Sequence, residues 1–287
     1  MRKSNIVSTQ WLAENLTNSN VVILDATMVS VLDDNDGNTS RGFIPGSLFL
    51  DLKGEFSDPD AALSHTAPSY AHFCKKVRSL GIESDTTVVI YDVKGIFSSP
   101  RAWWLFKLMG HEAVFILDGG LPRWIAENRP LAMSAAQASY ESSWQGSYKA
   151  ELIADKSIIA AASETAKANI ADARSYGRYL GTAPEPRKGM RSGHIPNSVS
   201  VPYTEVLENG SFKSFQALKD IFAARQLLLE ETVYFTCGSG ITACIILLAA
   251  VESGLEKVSV YDGSWTEWAS ELSFPVNSEK VAEDMQT

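Results

Sequence analysis

Cysteine is scarce in this chain, with Cys74, Cys237 and Cys244 the three instances in 287 residues. An odd and small number cannot make a disulfide framework, so the fold must rest on a buried core, and a reducing, cytoplasmic setting is expected. Histidine is nearly as rare, four residues with no Cys-x-x-Cys or His-x-x-x-His pair among them. A zinc site would have to be gathered from scattered ligands, and neither metal nor cofactor is expected. Positive charge is also in deficit: 25 Lys and Arg stand against 34 Asp and Glu, a formal net charge of -9. Such a surface repels phosphate backbones and anionic lipid, which excludes nucleic acid as an expected partner. Long apolar runs are missing too. The longest, Ala243 to Val251, is nine residues, short of a bilayer span. Met1-Arg2-Lys3-Ser4-Asn5 is followed by the polar, interrupted segment Ile6 to Leu16. No signal peptide and no membrane association are expected.

What is present is an ordinary globular composition, 45% hydrophobic and 21% charged, over a length that favours two cores rather than one. The chain also repeats itself. Leu24-Asp25-Ala26, Gly42-Phe43-Ile44-Pro45-Gly46-Ser47, Val88-Val89-Ile90-Tyr91-Asp92 and Phe115-Ile116-Leu117-Asp118-Gly119-Gly120 are answered in the same order. Their counterparts are Ala171-Asp172-Ala173, Gly193-His194-Ile195-Pro196-Asn197-Ser198, Val233-Tyr234-Phe235-Thr236-Cys237 and Ser259-Val260-Tyr261-Asp262-Gly263-Ser264. The offsets run from 144 to 151, the drift that loop insertions produce. A tandem duplication follows, with a first domain over residues 1–135, a linker over 136–152 rich in Ala, Ser and Gln, and a second domain over 153–287.

Short β-branched runs such as Val21 to Leu24, Thr87 to Tyr91 and Val114 to Leu117 read as buried strands. Pro100 to Gly110, Tyr70 to Leu80 and Thr242 to Ser253 read as helices, the first opening on Pro and the last closing on Gly254. Strands alternating with helices predict an α/β fold in each half, a parallel sheet flanked by helices.

The two halves differ at one position that matters for chemistry: where the first has Asp92, the second has Cys237. The cysteine opens the small-residue loop Gly238-Ser239-Gly240 and then Ile241-Thr242-Ala243, running from a strand end into a helix. Reactive groups in open α/β sheets sit at such strand ends. Two glycines let the loop turn its N–H groups inward, and the helix N-terminus adds partial positive charge, both favouring a thiolate. The alternative is a buried structural cysteine, the reading kept for Cys244, inside an apolar helix, and for Cys74, in the helix expected over Tyr70 to Leu80. A cysteine phosphatase needs an Arg six residues after its nucleophile to bind phosphate; that position is Ala243, which disfavours phosphate-ester chemistry.

The duplicated unit, the Asp-Ala-Arg and Gly-His-Ile-Pro segments, the Cys-Gly-Ser-Gly-Ile-Thr-Ala loop and Tyr-Asp-Gly-Ser-Trp-x-Glu-Trp together resemble the tandem-domain rhodanese superfamily from Val7 to Pro275. The loop is similar to that of the 3-mercaptopyruvate sulfurtransferases, whereas thiosulfate-using rhodaneses resemble one another in carrying basic residues where this chain has Gly238 and Ser239. The resemblance implies an inactive first domain and an active second one, with Cys237 as a nucleophile that becomes a persulfide. It implies that backbone N–H groups of Gly238, Gly240, Ile241 and Thr242 hold the sulfur, and that Ser239 relays a proton. It further implies that Arg178 and Arg187, in a segment whose Gly and Pro read as loop, bind the donor's carboxylate and ketone, a task suited to planar guanidinium. Arg174 reads instead as a structural ion-pair partner, and Arg191 is left unassigned.

Relatives of this type are similar in having a His and a carboxylate from the first domain reach Ser239. His65 matches the His. For the carboxylate the ungapped match is Lys53, and a one-residue shift aligns Glu55; either Glu55 serves or the relay lacks that member. The expected function is sulfur transfer from 3-mercaptopyruvate to a thiol, thioredoxin or cyanide acceptor. Thiosulfate sulfurtransferase, or a persulfide-carrying partner in a sulfur relay, are the alternatives.

Overall fold

The computed structural model describes residues 4–28, 42–165, 169–227 and 230–279; Arg2 and Lys3 of the basic start lie outside them. The chain divides into two units, Met1–Lys149 with Asn209–Phe212, and Ala150–Glu208 with Lys213–Thr287.

The first unit is built on five strands, β1 (Ile6–Val7), β2 (Val21–Asp25), β3 (Leu48–Phe49), β4 (Thr87–Tyr91) and β5 (Val114–Leu117). They pair in parallel in the order β1-β5-β4-β2-β3. β4 lies at the centre and carries Val88, Val89, Ile90 and Tyr91, all without solvent exposure, the near-continuous apolar run of a strand covered on both faces. Among the described residues the unit's helices are α1 (Thr9–Glu14), α2 (Tyr70–Ser79), α3 (Ser99–Leu108) and α4 (Gly120–Ala126). α3 starts on Pro100 in its first turn, and Ser69 caps α2 by accepting the His72 N–H.

The second unit repeats the plan. Its strands are β6 (Ile153–Ala154), β7 (Ile170–Asp172), β8 (Ser198–Ser200), β11 (Val233–Thr236) and β12 (Val258–Tyr261), in the parallel order β6-β12-β11-β7-β8. Two dipeptide strands, β9 (Leu207–Glu208) and β10 (Ser211–Phe212), belong to neither large sheet. The helices are α5 (Lys156–Ser163), α6 (Tyr176–Leu180), α7 (Phe215–Ala224), α8 (Ile241–Ser253) and α9 (Ser264–Ser270). α8 is apolar on every side, with Cys244 to Ala250 buried without a break. Such a helix is confined to a core.

The break between units, Lys149 to Ala150, falls inside the segment expected as linker. Residues 142–149 are nevertheless laid down on the first unit. Trp144 is fully buried, its indole donates to His111 Nδ1 at 3.0 Å, and its carbonyl accepts from Arg78 Nε at 2.9 Å. Hydrogen bonds from Ser142 Oγ to the Ile82 carbonyl at 2.5 Å and from Tyr70 Oη to the Gly146 carbonyl at 2.8 Å hold the same stretch.

Candidate active site

Cys237 is the first residue after the central strand β11, as Asp92 is the first after β4. The turn from Cys237 into α8 takes three residues and needs the left-handed conformation at Gly240, φ 84°, a region other residues enter only with strain. That geometry points the Gly240 N–H at Cys237 Sγ, 3.1 Å away. Cys237 is buried, while Gly238, Ser239 and Thr242 are half-buried. Cys244 Sγ donates to the Gly240 carbonyl at 3.3 Å, one turn into the helix, which is a structural use.

The loop is fastened from behind by α9. The Trp265 N–H donates to the Cys237 carbonyl at 2.9 Å, and the Thr266 N–H to the Gly238 carbonyl at 3.0 Å. Ser264 accepts the Cys237 N–H on its Oγ at 3.2 Å and donates to the Tyr261 carbonyl at 2.8 Å. It does this from a positive φ of 51°. The matching residue of the first unit is Gly120, φ 53°, where a Cβ would meet the Asp92 and Gly95 carbonyls at 2.5 Å. A side chain is thus tolerated at this corner only beside the cysteine. A non-glycine residue held in the left-handed region marks a position fixed by its surroundings.

Both arginines singled out in the sequence converge on Gly238. A Cβ placed on that glycine would lie 3.1 Å from Arg178 Nη2. Arg187 Nη1 donates to Thr266 Oγ1, whose hydroxyl donates in turn to the Gly238 carbonyl at 2.5 Å. Arg178 does not stand in an irregular loop as expected. It belongs to the short helix α6, with Gly177 inside it and Gly181 closing it in the left-handed conformation, φ 81°. The remaining arginines have structural posts. Arg174 pairs with Asp172, Nη2 to Oδ2 2.6 Å, and its guanidinium lies 4.3 Å from the centre of the Trp265 ring. Arg191 donates to the carbonyls of Trp268, Ala269, Glu271 and Phe274.

Glu55 and His65 stand in the first unit. The half-exposed Glu55 carboxylate accepts from Lys76 Nζ at 2.7 Å, and the backbone carbonyl of Glu55 pairs with His72 Nε2 at 2.8 Å. His65 takes a positive φ of 68°, with its carbonyl accepting from Arg101 Nη2.

The first unit shows what the strand-end junction holds when no cysteine is there. Asp92 Oδ2 accepts the N–H groups of Phe97 at 2.8 Å, Ser98 at 3.1 Å and Ser99 at 2.9 Å, plus the Ser99 hydroxyl at 2.6 Å. Oδ1 accepts the Lys94 N–H at 2.8 Å. The junction is an anion cradle, filled in this copy by the chain's own carboxylate.

Three residues of the site carry no sequence signal of their own. Ser264 and Thr266 reveal themselves only by comparison with the first copy, and Glu185 only by lying between two prolines next to two arginines. Among the described residues, no group of three or more His, Cys, Asp or Glu is arranged to hold a metal ion, and no helix is long and apolar enough to cross a membrane.

The model of the rhodanese-like domain matches this chain twice, over residues 8–127 and 156–271. The chain belongs to the rhodanese family. It is 37% identical to thiosulfate/3-mercaptopyruvate sulfurtransferase 1, mitochondrial, of Arabidopsis thaliana, over 95% of this chain and 78% of that one. It is 34% identical to the 3-mercaptopyruvate sulfurtransferase of Escherichia coli K12, over 96% and 98%. Among solved structures, the crystal structure of the 3-mercaptopyruvate sulfotransferase SseA of E. coli superposes with a TM-score of 0.82 at 32% identity. That match covers 92% of this chain and 99% of that one. The rhodanese family accounts for the duplication, since each matched segment holds four of the five strands of one of the two sheets.

Proposed function

We propose that this rhodanese-family chain is a 3-mercaptopyruvate sulfurtransferase working through a persulfide on Cys237. The observation that carries this is the convergence of Arg178 and Arg187 on Gly238, the residue next to a sulfur that accepts a backbone N–H. A donor with a carboxylate at one end and a sulfur at the other fits two guanidinium groups set beside a nucleophilic thiol. The relatives named for 3-mercaptopyruvate support the choice of donor.

The Cys237 thiolate attacks the donor's sulfur, so that an S–S bond forms as the donor's C–S bond breaks. The electron pair of that bond passes to the enolate of pyruvate, which takes up a proton and leaves. Arg178 and Arg187 stabilise the charge growing on the enolate. N–H groups of Gly238, Gly240, Ile241 and Thr242 hold the sulfur anion, in the manner of the cradle around Asp92. A second thiol, thioredoxin among the candidates, or cyanide then removes the outer sulfur and restores Cys237. Ser239 is proposed as a proton relay with His65 as its expected partner, and Glu55 either is the carboxylate of that relay or takes no part in it. A Glu55→Gln variant whose pH–rate profile matches the parent removes Glu55 from the relay.

Thiosulfate is the second donor, supported by the relative named for both compounds. Steady-state rates with each donor at one cyanide concentration test the preference: a higher kcat/KM for thiosulfate reverses the assignment. A cytoplasmic location is proposed on the three free thiols, and fractionation of the source cells tests it.

A further inference from the structure

The charges behind Arg178 exceed what orienting one side chain requires. Asp172, at the end of β7, takes Arg174 through both carboxylate oxygens, 3.1 and 3.0 Å to Nε. Arg174 passes its Nη1 to Glu185 Oε1 at 2.9 Å, and Glu185 Oε2 accepts Arg178 Nη2 at 2.6 Å. Two carboxylates and two guanidinium groups close into one chain whose charges sum to zero. The side chains of Asp172, Arg174 and Glu185 are 1%, 0% and 2% exposed, while Arg178, at 21%, is the member that reaches solvent. Burying a carboxylate is costly unless it is fully paired, and Glu185 is paired on both oxygens, with Arg174 on one side and Arg178 on the other.

The effect on Arg178 is double. Glu185 fixes the guanidinium over Gly238, and it cancels most of the field that guanidinium would project toward an incoming anion. A bound carboxylate still finds planar N–H donors there, whereas the attraction that depends on net charge is reduced. That reduction falls about twice as heavily on a dianion as on a monoanion, because the Coulomb energy scales with ligand charge. 3-Mercaptopyruvate carries one carboxylate; thiosulfate is a dianion.

We propose that Glu185 is a positioning residue that sets the charge of the sulfur donor this site accepts, favouring a monoanionic carboxylate over a dianion. This rests on the reading of Arg178 as a donor-binding residue.

The test is kcat/KM for 3-mercaptopyruvate and for thiosulfate, with cyanide as acceptor at fixed ionic strength, in the parent and in three variants. Glu185→Gln and Glu185→Ala both remove the charge, the first nearly isosteric, the second without an amide to press on the arginines. Glu185→Asp keeps the charge on a shorter stem. The ratio of thiosulfate to 3-mercaptopyruvate efficiency should rise by about tenfold in both neutral variants, stay at the parental value in Glu185→Asp, and fall back toward it as salt is raised. An unchanged ratio in the neutral variants, or an equal loss with both donors in all three, reduces Glu185 to a structural residue and overturns the inference. A parent that takes sulfur from neither donor is a different result: it overturns the functional reading, and this inference with it.

Discussion

Ser264 accepts the backbone N–H of Cys237 at 3.2 Å from a conformation, φ 51°, that its counterpart Gly120 occupies without a side chain. The strained residue and the reactive one are thus coupled, and the coupling can be cut in two ways. Both Ser264→Gly and Ser264→Ala take the acceptor away from the buried Cys237 N–H; the first also relieves the backbone, whereas the second keeps the strain. An orphaned buried donor costs about 1–3 kcal/mol. Both variants share that cost, and because Ser264→Ala also keeps a non-glycine residue at φ 51° it is expected to lower the urea midpoint more than Ser264→Gly, while both lower kcat for persulfide formation. Equal midpoints for the two variants would remove the strain from the account.

Gly238 is required for Arg178. A methyl there approaches Nη2 to 3.1 Å, so the guanidinium must shift by a few tenths of an ångström, and a misplaced binding group is felt first in KM. Gly238→Ala is expected to raise KM for 3-mercaptopyruvate by about tenfold with a smaller change in kcat. Steady-state kinetics with cyanide as acceptor give the answer; an unaltered KM removes Arg178 from donor binding.

Asp92 holds the first unit's junction together by accepting four N–H groups and one hydroxyl. Asp92→Ala takes the acceptor from all five donors, three of them buried (the N–H groups of Ser98 and Ser99 and the Ser99 hydroxyl), and is expected to cost about 3 kcal/mol or more. Asp92→Asn keeps the shape but turns an N–H₂ toward donors and should fall between. Chemical denaturation measures both, and a neutral Asp92→Ala would show that the cradle does not need an anion.

Stability should fall on the acid side of neutrality. Burial holds the imidazoles of His111 and His194 below their ordinary value of 6.5. His111 is fixed as the neutral tautomer, accepting from Trp144 Nε1 on Nδ1 and donating from Nε2 to the Thr86 carbonyl. Because the folded state resists a proton that the unfolded chain accepts, stability is fully present above about pH 6.5 and declines as pH drops below it. Each histidine contributes a slope of at most about 1.4 kcal/mol per pH unit. His111→Gln is expected to flatten the pH dependence of the unfolding free energy between pH 6.5 and 5; an unchanged slope would contradict the assignment.

The duplication was readable because turn-forming and strand-forming segments recur in order, and strand ends such as Tyr91 and Leu117 follow from runs of β-branched residues. The cysteine stood out because its twin is an aspartate. α6 was not readable: Gly177 and Gly181 look like breakers, yet one sits within a turn of helix and the other ends it in the conformation only glycine enters cheaply. The flanking prolines mark Glu185 in the sequence, but its role was not readable, since it depends on burial between Arg174 and Arg178.

The central claim is that Cys237 carries the transferred sulfur. Intact-mass analysis and peptide mapping after brief incubation with 3-mercaptopyruvate, before any acceptor is added, test it most directly. A gain of one sulfur atom, about 32 Da, on the peptide bearing Cys237, lost on adding cyanide and missing in Cys237→Ser, is the predicted result. Turnover by Cys237→Ser, or a sulfur adduct on Cys74 or Cys244 instead, would contradict it.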